Sequence, residues 1–129
     1  MKLDKSKKIL IVGLGLLGGS YAQSLTRQGY YVTAITRKQS TIDYAVEHDL
    51  ITKGSSFVDE SLIKEADIIV FALYPHIFVD WIKQHGHLIA PKTVITDVTG
   101  VKECIVYEIQ SMLPQGVEFI AAHPMAGLK

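Results

Sequence analysis

The stretch Lys8-Ile9-Leu10-Ile11-Val12-Gly13-Leu14-Gly15-Leu16-Leu17-Gly18 decides the fold of this chain. Residues 9–12 are apolar without interruption, which predicts a strand over 8–12 that is covered on both faces of a parallel sheet. Residues 16–28 predict a helix that ends at Gly29. A Gly-x-Gly-x-x-Gly turn between a strand and a helix is the context in which this pattern binds a dinucleotide. The alternative is a glycine-rich turn that serves packing alone.

Each glycine of this turn has its own predicted role. Gly13 permits the tight turn, Gly15 lets a pyrophosphate approach the backbone, and Gly18 lets the helix pack closely on the strand. The free N–H groups of the first helical turn, including those of Leu16 and Leu17, and the helix dipole then hold the phosphates.

Strand patterns and helix patterns alternate along the rest of the chain. The predicted strands cover 8–12, 31–36, 50–52, 67–73, 93–97 and 117–122. The predicted helices cover 16–28, 41–48, a short segment capped by Asp59 or Ser61 that ends at Ala66, 75–85 and 102–113. Such alternation predicts β-α-β units and a parallel sheet. We therefore expect a Rossmann-type, doubly wound α/β sheet of order 3-2-1-4-5-6 in a single domain, 1–129, with residues 1–7 as a flexible tail.

Composition excludes several classes of protein. The chain has 129 residues, 48% of them hydrophobic, and 13 basic residues balance 13 acidic ones. Zero net charge argues against a nucleic-acid binder or a polybasic membrane protein. Lys5, Lys7 and Lys8 before an apolar run imitate a secretory signal, but no clean cleavage site follows and no apolar stretch is long enough for a membrane span. A lone cysteine, Cys104, fits a reducing compartment and is expected to be packed. We expect a cytoplasmic protein.

The end of the second strand predicts the choice of cofactor. An NAD site usually has a carboxylate there, which binds the ribose 2′-hydroxyl. This chain has none and continues with Thr36, Arg37, Lys38 and Ser40. Arg37 can bind a 2′-phosphate bidentately and stack on adenine, Lys38 adds charge, and Thr36 or Ser40 can donate hydroxyls. NADP is therefore favoured over NAD, the alternative being a solvated basic turn.

Polar residues also follow the fifth and sixth strands. Asp97 to Lys102 and His123 to Gly127 both fall at the carboxyl edge of the predicted sheet, where ligands bind in open α/β folds. The imidazole of His123 suits proton acceptance from an alcohol as a hydride leaves, although a lone histidine is often structural. His85 and His87 lack acidic or cysteine partners nearby, so we predict no metal site.

Three segments together resemble the prephenate and arogenate dehydrogenase family: Gly13 to Ser20, Asp97 to Lys102, and His123 to Gly127. The glycine pattern is common to many dehydrogenases, whereas His-Pro-Met-Ala-Gly with Asp-x-x-x-Val-Lys is far more specific. The resemblance implies oxidation of prephenate or arogenate by NAD(P)+ in tyrosine biosynthesis. Carbon dioxide is lost as the ring aromatises, which gives 4-hydroxyphenylpyruvate or tyrosine. It also implies that His123 is the catalytic histidine, hydrogen-bonded to the ring hydroxyl.

The chain departs from the family pattern in two places. The family commonly has serine at the position of Gly100, so the hydroxyl is expected from the adjacent Thr99. Asp97 and Lys102 are expected to cap and anchor this loop. Family members also continue into a helical domain that forms a homodimer and completes the substrate pocket. This chain therefore resembles the cofactor-binding domain alone, which we expect to be inactive by itself.

Two other functions remain possible on the residues alone. One is a dehydrogenase of the β-hydroxyacid type, although His-Pro-Met-Ala-Gly does not fit that group. The other is a non-catalytic module that senses a dinucleotide, which would keep the glycine turn but would not need His123.

Overall fold

The computed structural model describes residues 5–120, and a parallel sheet forms the centre of this part of the chain. The strands are β1 (Lys8–Val12), β2 (Tyr31–Ile35), β3 (Lys53–Ser55), β4 (Ile68–Phe71), β5 (Val94–Asp97) and β6 (Glu118–Phe119). Their order is β3-β2-β1-β4-β5-β6, which confirms the predicted doubly wound topology. Residues 121–122, the end of the predicted sixth strand, lie outside the described residues.

Helices cover both faces of this sheet. They are α1 (Leu16–Arg27), α2 (Gln39–Glu47), α3 (Glu60–Glu65), α4 (Pro75–His85) and α5 (Glu103–Met112), with a 3₁₀ turn at Gly86–Leu88. Pro75 occupies the first turn of α4, where its missing N–H costs no hydrogen bond. Of the two predicted caps of α3, Asp59 is the one observed, and its carboxylate accepts from the backbone N–H of Ser61.

The central strand β1 has both faces buried, and this explains its unbroken apolar sequence. Leu10 and Val12 contribute to the core beneath α3, α4 and α5. Ile9 and Ile11 contribute to the core beneath α1 and α2. Helices on both sides therefore favour an apolar residue at each of the four buried positions, Ile9 to Val12.

Two expectations were wrong. Strand β3 was expected at 50–52 but lies at Lys53–Ser55. The backbone turns at Asp49, with φ 57°, and the N–H of Leu50 donates to the carbonyl of Ala45. The C-terminal turn of α2 therefore extends to Leu50, where a strand was expected. Cys104 was expected to be packed but is exposed, because α5 turns its other side, with Ile109, to the core.

The N-terminal residues are described only from Lys5 onward, and residues 1–4 of the expected tail lie outside the described part. Lys5 contacts the domain: its ammonium donates to the backbone oxygen of Gln28 and lies 5.1 Å from the centre of the Tyr30 ring. In the described part of the chain, no helix has both the length and the apolarity needed to cross a membrane.

Candidate functional site

A cleft opens at the carboxyl edge of the sheet, where the strand order reverses between β1 and β4. Val12 is paired with Ile35 on one side and with Phe71 on the other, so the segments that follow these three strands meet. We call this space, of about 590 Å³, the carboxyl-edge cleft. It is lined by residues 12–18, 35–37, 56–58 and 72–74, with Ile77, Trp81 and Thr99. Open α/β sheets bind their ligands at this switch point.

The glycine turn has the geometry that its spacing predicts. Gly13 has φ 98°, in the left-handed region, and its N–H donates to the carbonyl of Ile35 at 2.8 Å. A Cβ on Gly18 would lie 1.9 Å from the carbonyl oxygen of Gly13, so only glycine allows α1 to approach the strand this closely. A Cβ on Gly15 would meet nothing within 4 Å. Gly15 therefore lies beside open space, where a ligand can reach the backbone.

Helix α1 points its N-terminus at the cleft. Gly15 is the N-cap, provides no side-chain hydrogen bond, and no acidic residue stands in the first turn. The first N–H groups of a helix have no partner within it, so those of Leu16 and Leu17 are available to an anion. The side chain of Leu16 is 90% exposed, which leaves the helix end accessible. The turn can therefore hold the phosphates of a dinucleotide.

Arg37 gives the cleft its charge. Among the described residues that line the cleft, Arg37 is the one with a full charge, and none is a carboxylate. Thr36, beside it, accepts a long hydrogen bond of 3.5 Å from the N–H of Leu14 through its hydroxyl. Thr36 therefore links the end of β2 to the glycine turn. The site as a whole therefore favours a phosphorylated ligand. Its hydrogen-bond donors are of the kind that the phosphates of a dinucleotide need.

Lys38 and Ser40 are not among the lining residues. Lys38 is the N-cap of α2 and Ser40 lies in its first turn, and both are exposed next to Arg37. The structure thus brings together Gly13, Gly15, Leu16, Leu17, Gly18, Thr36, Arg37 and Thr99. His123 lies outside the described residues.

Asp97 organises the loop that carries Thr99. The residue is completely buried at the end of β5. Its Oδ2 accepts from the N–H of Thr99 at 3.1 Å, the hydroxyl of Thr99 at 2.9 Å and the N–H of Val101 at 3.2 Å. Gly100 between them has φ 69°, which a side chain would strain. Asp97 therefore anchors this loop, as its place in the motif predicts, while Lys102 is an exposed N-cap of α5.

Several lining residues were not predicted as part of the site. Tyr74 and Ile77 come from the start of α4, and the rule that ligands bind beyond the carboxyl ends of strands could have found them. Ser56 and Phe57 follow β3, and they were missed because that strand was misplaced. Trp81 lies three residues after Phe78, a spacing that packing alone explains, yet it also lines the cleft.

Trp81 lies between the cleft and the far end of α4. Its ring packs edge-on against Phe71, with centroids 5.0 Å apart, and against His85 at 5.3 Å. Burial lowers the pKa of His85, and the nearby charge of His87 lowers it further. The lowered pKa favours the neutral form of the imidazole that packs on Trp81. In the part of the chain that the structure describes, no cluster of three ligating side chains is placed to hold a metal ion.

Comparison with known proteins agrees with this geometry. The family described as "Prephenate dehydrogenase, nucleotide-binding domain" matches residues 21–129. This match begins after the glycine turn, so it does not depend on the motif that many dehydrogenases share.

Two curated relatives are named prephenate dehydrogenase. The prephenate dehydrogenase of Lactococcus lactis subsp. cremoris is 34% identical over 94% of this chain. That of Bacillus subtilis is 30% identical over 92%. The chain spans 34% and 33% of the length of these proteins.

Solved structures show the same fold. Arogenate dehydrogenase from Synechocystis superimposes with a TM-score of 0.80, at 33% identity, over 91% of this chain and 40% of that one. Prephenate dehydrogenase from A. aeolicus, in complex with hydroxyphenyl propionate and NAD+, gives 0.77 at 26% identity, over 94% and 42%. A 3-hydroxyisobutyrate dehydrogenase from Mycobacterium tuberculosis gives 0.73, but at 19% identity this likeness concerns the fold alone.

Proposed function

Because the chain belongs to the prephenate dehydrogenase family, matching its nucleotide-binding domain, we propose that it binds NADP for the oxidation of prephenate or arogenate. One observation carries the proposal: the glycine turn, the N-terminus of α1 and Arg37 all face the carboxyl-edge cleft. A phosphate-binding helix end and an isolated guanidinium at one site fit the two phosphate positions of NADP.

The binding roles follow from these positions. The backbone around Gly15 and the first turn of α1 would hold the pyrophosphate. Arg37 would bind the 2′-phosphate, and Lys38 and Ser40 stand next to it as further donors. The absence of a carboxylate among the described lining residues favours NADP, because a carboxylate would repel that phosphate.

The proposed chemistry is an oxidative decarboxylation. When bound, the nicotinamide ring supplies the acceptor for a hydride from the carbon that bears the substrate hydroxyl. His123 would take the hydroxyl proton, which becomes acidic as the hydride departs, and carbon dioxide leaves as the ring aromatises. The hydroxyl of Thr99 already donates to Asp97, so it offers lone pairs that can accept a hydrogen bond from a neighbouring group.

The remaining expectations belong to the same proposal. They are a place in tyrosine biosynthesis, a homodimer formed through a helical domain, a cytoplasmic location, and no nucleic-acid or membrane partner. These rest on the sequence and on the resemblance of its motifs.

The proposal is tested by titrating NADPH and NADH against the protein and against Arg37→Ala. We expect NADPH to bind more tightly, and Arg37→Ala to lose about 1.5–3 kcal/mol for NADPH alone, the contribution of a charge-assisted hydrogen bond. Arg27→Ala is the matched control, because it removes the same charge at the opposite end of α1. Equal affinities of the unmodified protein for the two cofactors would contradict the proposed preference.

A further inference from the structure

Phe57 is an exposed aromatic residue held in a fixed loop. Its side chain is 64% exposed, whereas the next residue, Val58, packs against the core beneath α4. A phenylalanine that turns away from an adjacent core leaves apolar surface in water, which costs free energy unless something covers it. Phe57 lies on the carboxyl-edge cleft together with Arg37.

Asp59 closes the loop that carries Phe57. One carboxylate oxygen, Oδ2, accepts from the hydroxyl of Ser55 at 2.7 Å. The other, Oδ1, accepts from the N–H of Ser61 at 3.0 Å and from its hydroxyl at 2.6 Å. Residues 55 and 61 are thus tied to one side chain, and the short segment between β3 and α3 is held from both ends. The loop that carries the ring is therefore positioned before any ligand arrives.

The loop starts next to Arg37. The N–H of Thr36 donates to the carbonyl of Ser55 at 3.1 Å, so the residues after β2 and those after β3 run side by side. In NADP the 2′-phosphate is attached to the ribose that also carries adenine. A ligand whose 2′-phosphate contacts Arg37 therefore places its purine within reach of the neighbouring loop.

We propose that the ring of Phe57 is the face on which the adenine base of the cofactor packs, with Asp59 as the positioning residue of that face. The inference rests on the proposed binding of NADP. The other exposed apolar side chains on the cleft are Leu16 and Leu17, at the start of α1, and Tyr74 and Ile77, which follow β4, two strands away from β2 in the sheet order. Phe57 is the lining aromatic residue whose loop starts beside Thr36, the neighbour of Arg37, and aromatic rings bind purines through their faces.

The test uses 2′,5′-ADP, which contains the purine and the 2′-phosphate but no nicotinamide, alongside NADPH. Affinities are measured by calorimetry for the unmodified protein, Phe57→Ala and Phe57→Tyr. We expect Phe57→Ala to lower the affinity for both ligands about ten-fold, within the range of base–aromatic stacking. Phe57→Tyr should bind both ligands as tightly as the unmodified protein does. Tyr107→Ala is the matched control, because Tyr107 is equally exposed, at 66%, but lies on α5 away from the cleft.

The role of Asp59 is tested separately. Asp59→Ala should lower the affinity for 2′,5′-ADP, as Phe57→Ala does. The double variant should bind 2′,5′-ADP no more weakly than Phe57→Ala alone, because both substitutions act on one contact. Additive losses would overturn the positioning role.

The two levels of the proposal fail in different ways. Failure of the unmodified protein to bind either ligand would refute the proposed function itself. Binding by the unmodified protein with undiminished affinity in Phe57→Ala would overturn the inference about Phe57 and leave the cofactor site intact. Equal losses in Phe57→Ala and Tyr107→Ala would also overturn it, because they would show a general effect of removing an exposed ring.

Discussion

Gly15 and Gly18 lie one helical turn apart but differ in their surroundings. A side chain at Gly15 would contact no other atom, whereas a side chain at Gly18 would overlap the backbone. A Cβ on Gly15 has open space around it, and its φ of −72° suits any residue. A Cβ on Gly18 would overlap the carbonyl oxygen of Gly13 and contact Ala72 at 3.1 Å. The packing of the protein therefore requires glycine at position 18 but not at position 15, which is consistent with the role proposed for Gly15 in cofactor binding.

We expect Gly15→Val to abolish cofactor binding without unfolding the domain. The valine side chain would occupy the space where the pyrophosphate approaches, while the change at the N-cap should cost stability of only about 1 kcal/mol or less. Gly18→Ala is the matched comparison and should destabilise by roughly 1–3 kcal/mol or more, because backbone must move. Thermal unfolding and cofactor titration of both variants separate the two effects. Retained binding in Gly15→Val would mean that the turn serves packing alone.

At the scale of elements, α3 depends on the carboxylate of Asp59. Hydrogen bonds from the hydroxyls of Ser61 and Ser55 lower the pKa of Asp59. The folded state therefore holds the ionised form more strongly than the unfolded state does. The resulting stabilisation is complete above the ordinary pKa of about 3.9 and is lost as the pH falls through the lower pKa of the folded protein.

We expect Asp59→Ala to destabilise the domain by about 1 kcal/mol near neutral pH, the usual effect of losing an N-cap. The difference from the unmodified protein should shrink at acid pH, where the carboxylate is protonated. Asp59→Asn is the control, because asparagine also caps helices but does not titrate. Unfolding by urea at several pH values measures this, and a difference independent of pH would contradict the expected role of the charge.

The elements also show how far the sequence could predict the fold. β1 was predicted because both of its faces are buried from Ile9 to Val12, so these four successive positions are apolar. β3 was misplaced because Lys53, Gly54 and Ser55 carry little apolar character of their own. This strand exists through pairing with β2, and Gly54 packs so closely that a Cβ would lie 2.8 Å from the carbonyl of Ala34. Pairing of this kind is a tertiary effect that local sequence does not encode.

The sequence predicted those parts of the candidate site that lie on recognisable backbone motifs. The glycine turn and Arg37 were found because strand ends and turn glycines leave a local signal. Phe57 could not be predicted as a lining residue, because β3, the strand before it, was placed too early in the sequence. Trp81 has the helical spacing of a core residue, and sequence spacing alone cannot separate a ring that lines a cleft from one that is only packed.

At the scale of the whole molecule, residues 5–120 leave the carboxyl-edge cleft open to solvent. Apolar side chains stand exposed around it, among them Leu16, Phe57 and Tyr74. The chain spans about a third of its curated relatives, at 34% and 33% of their length. An open cleft leaves water around the reacting atoms and does not fix a substrate for hydride transfer.

We therefore expect a polypeptide of residues 1–129 to bind NADP but not to oxidise prephenate or arogenate appreciably. In a full-length enzyme that contains this sequence, His123→Asn should keep cofactor affinity and lower kcat by about 10²–10⁴-fold, the usual contribution of a positioned acid–base group. Steady-state assays with both substrates and both cofactors measure this. Substantial turnover by residues 1–129 would show that the substrate pocket is already complete, and near-normal kcat in His123→Asn would show that the histidine is structural.

The position of Trp81 gives the protein an internal optical probe. It is the only tryptophan in the sequence, and it lines the carboxyl-edge cleft. Light that excites indole selectively therefore reports on this one site and on no other part of the chain. Reduced nicotinamide absorbs in the region where indole emits, so a cofactor bound in the cleft would draw excitation energy from Trp81. Occupancy can thus be followed in the unlabelled protein, in the same cuvette and in real time.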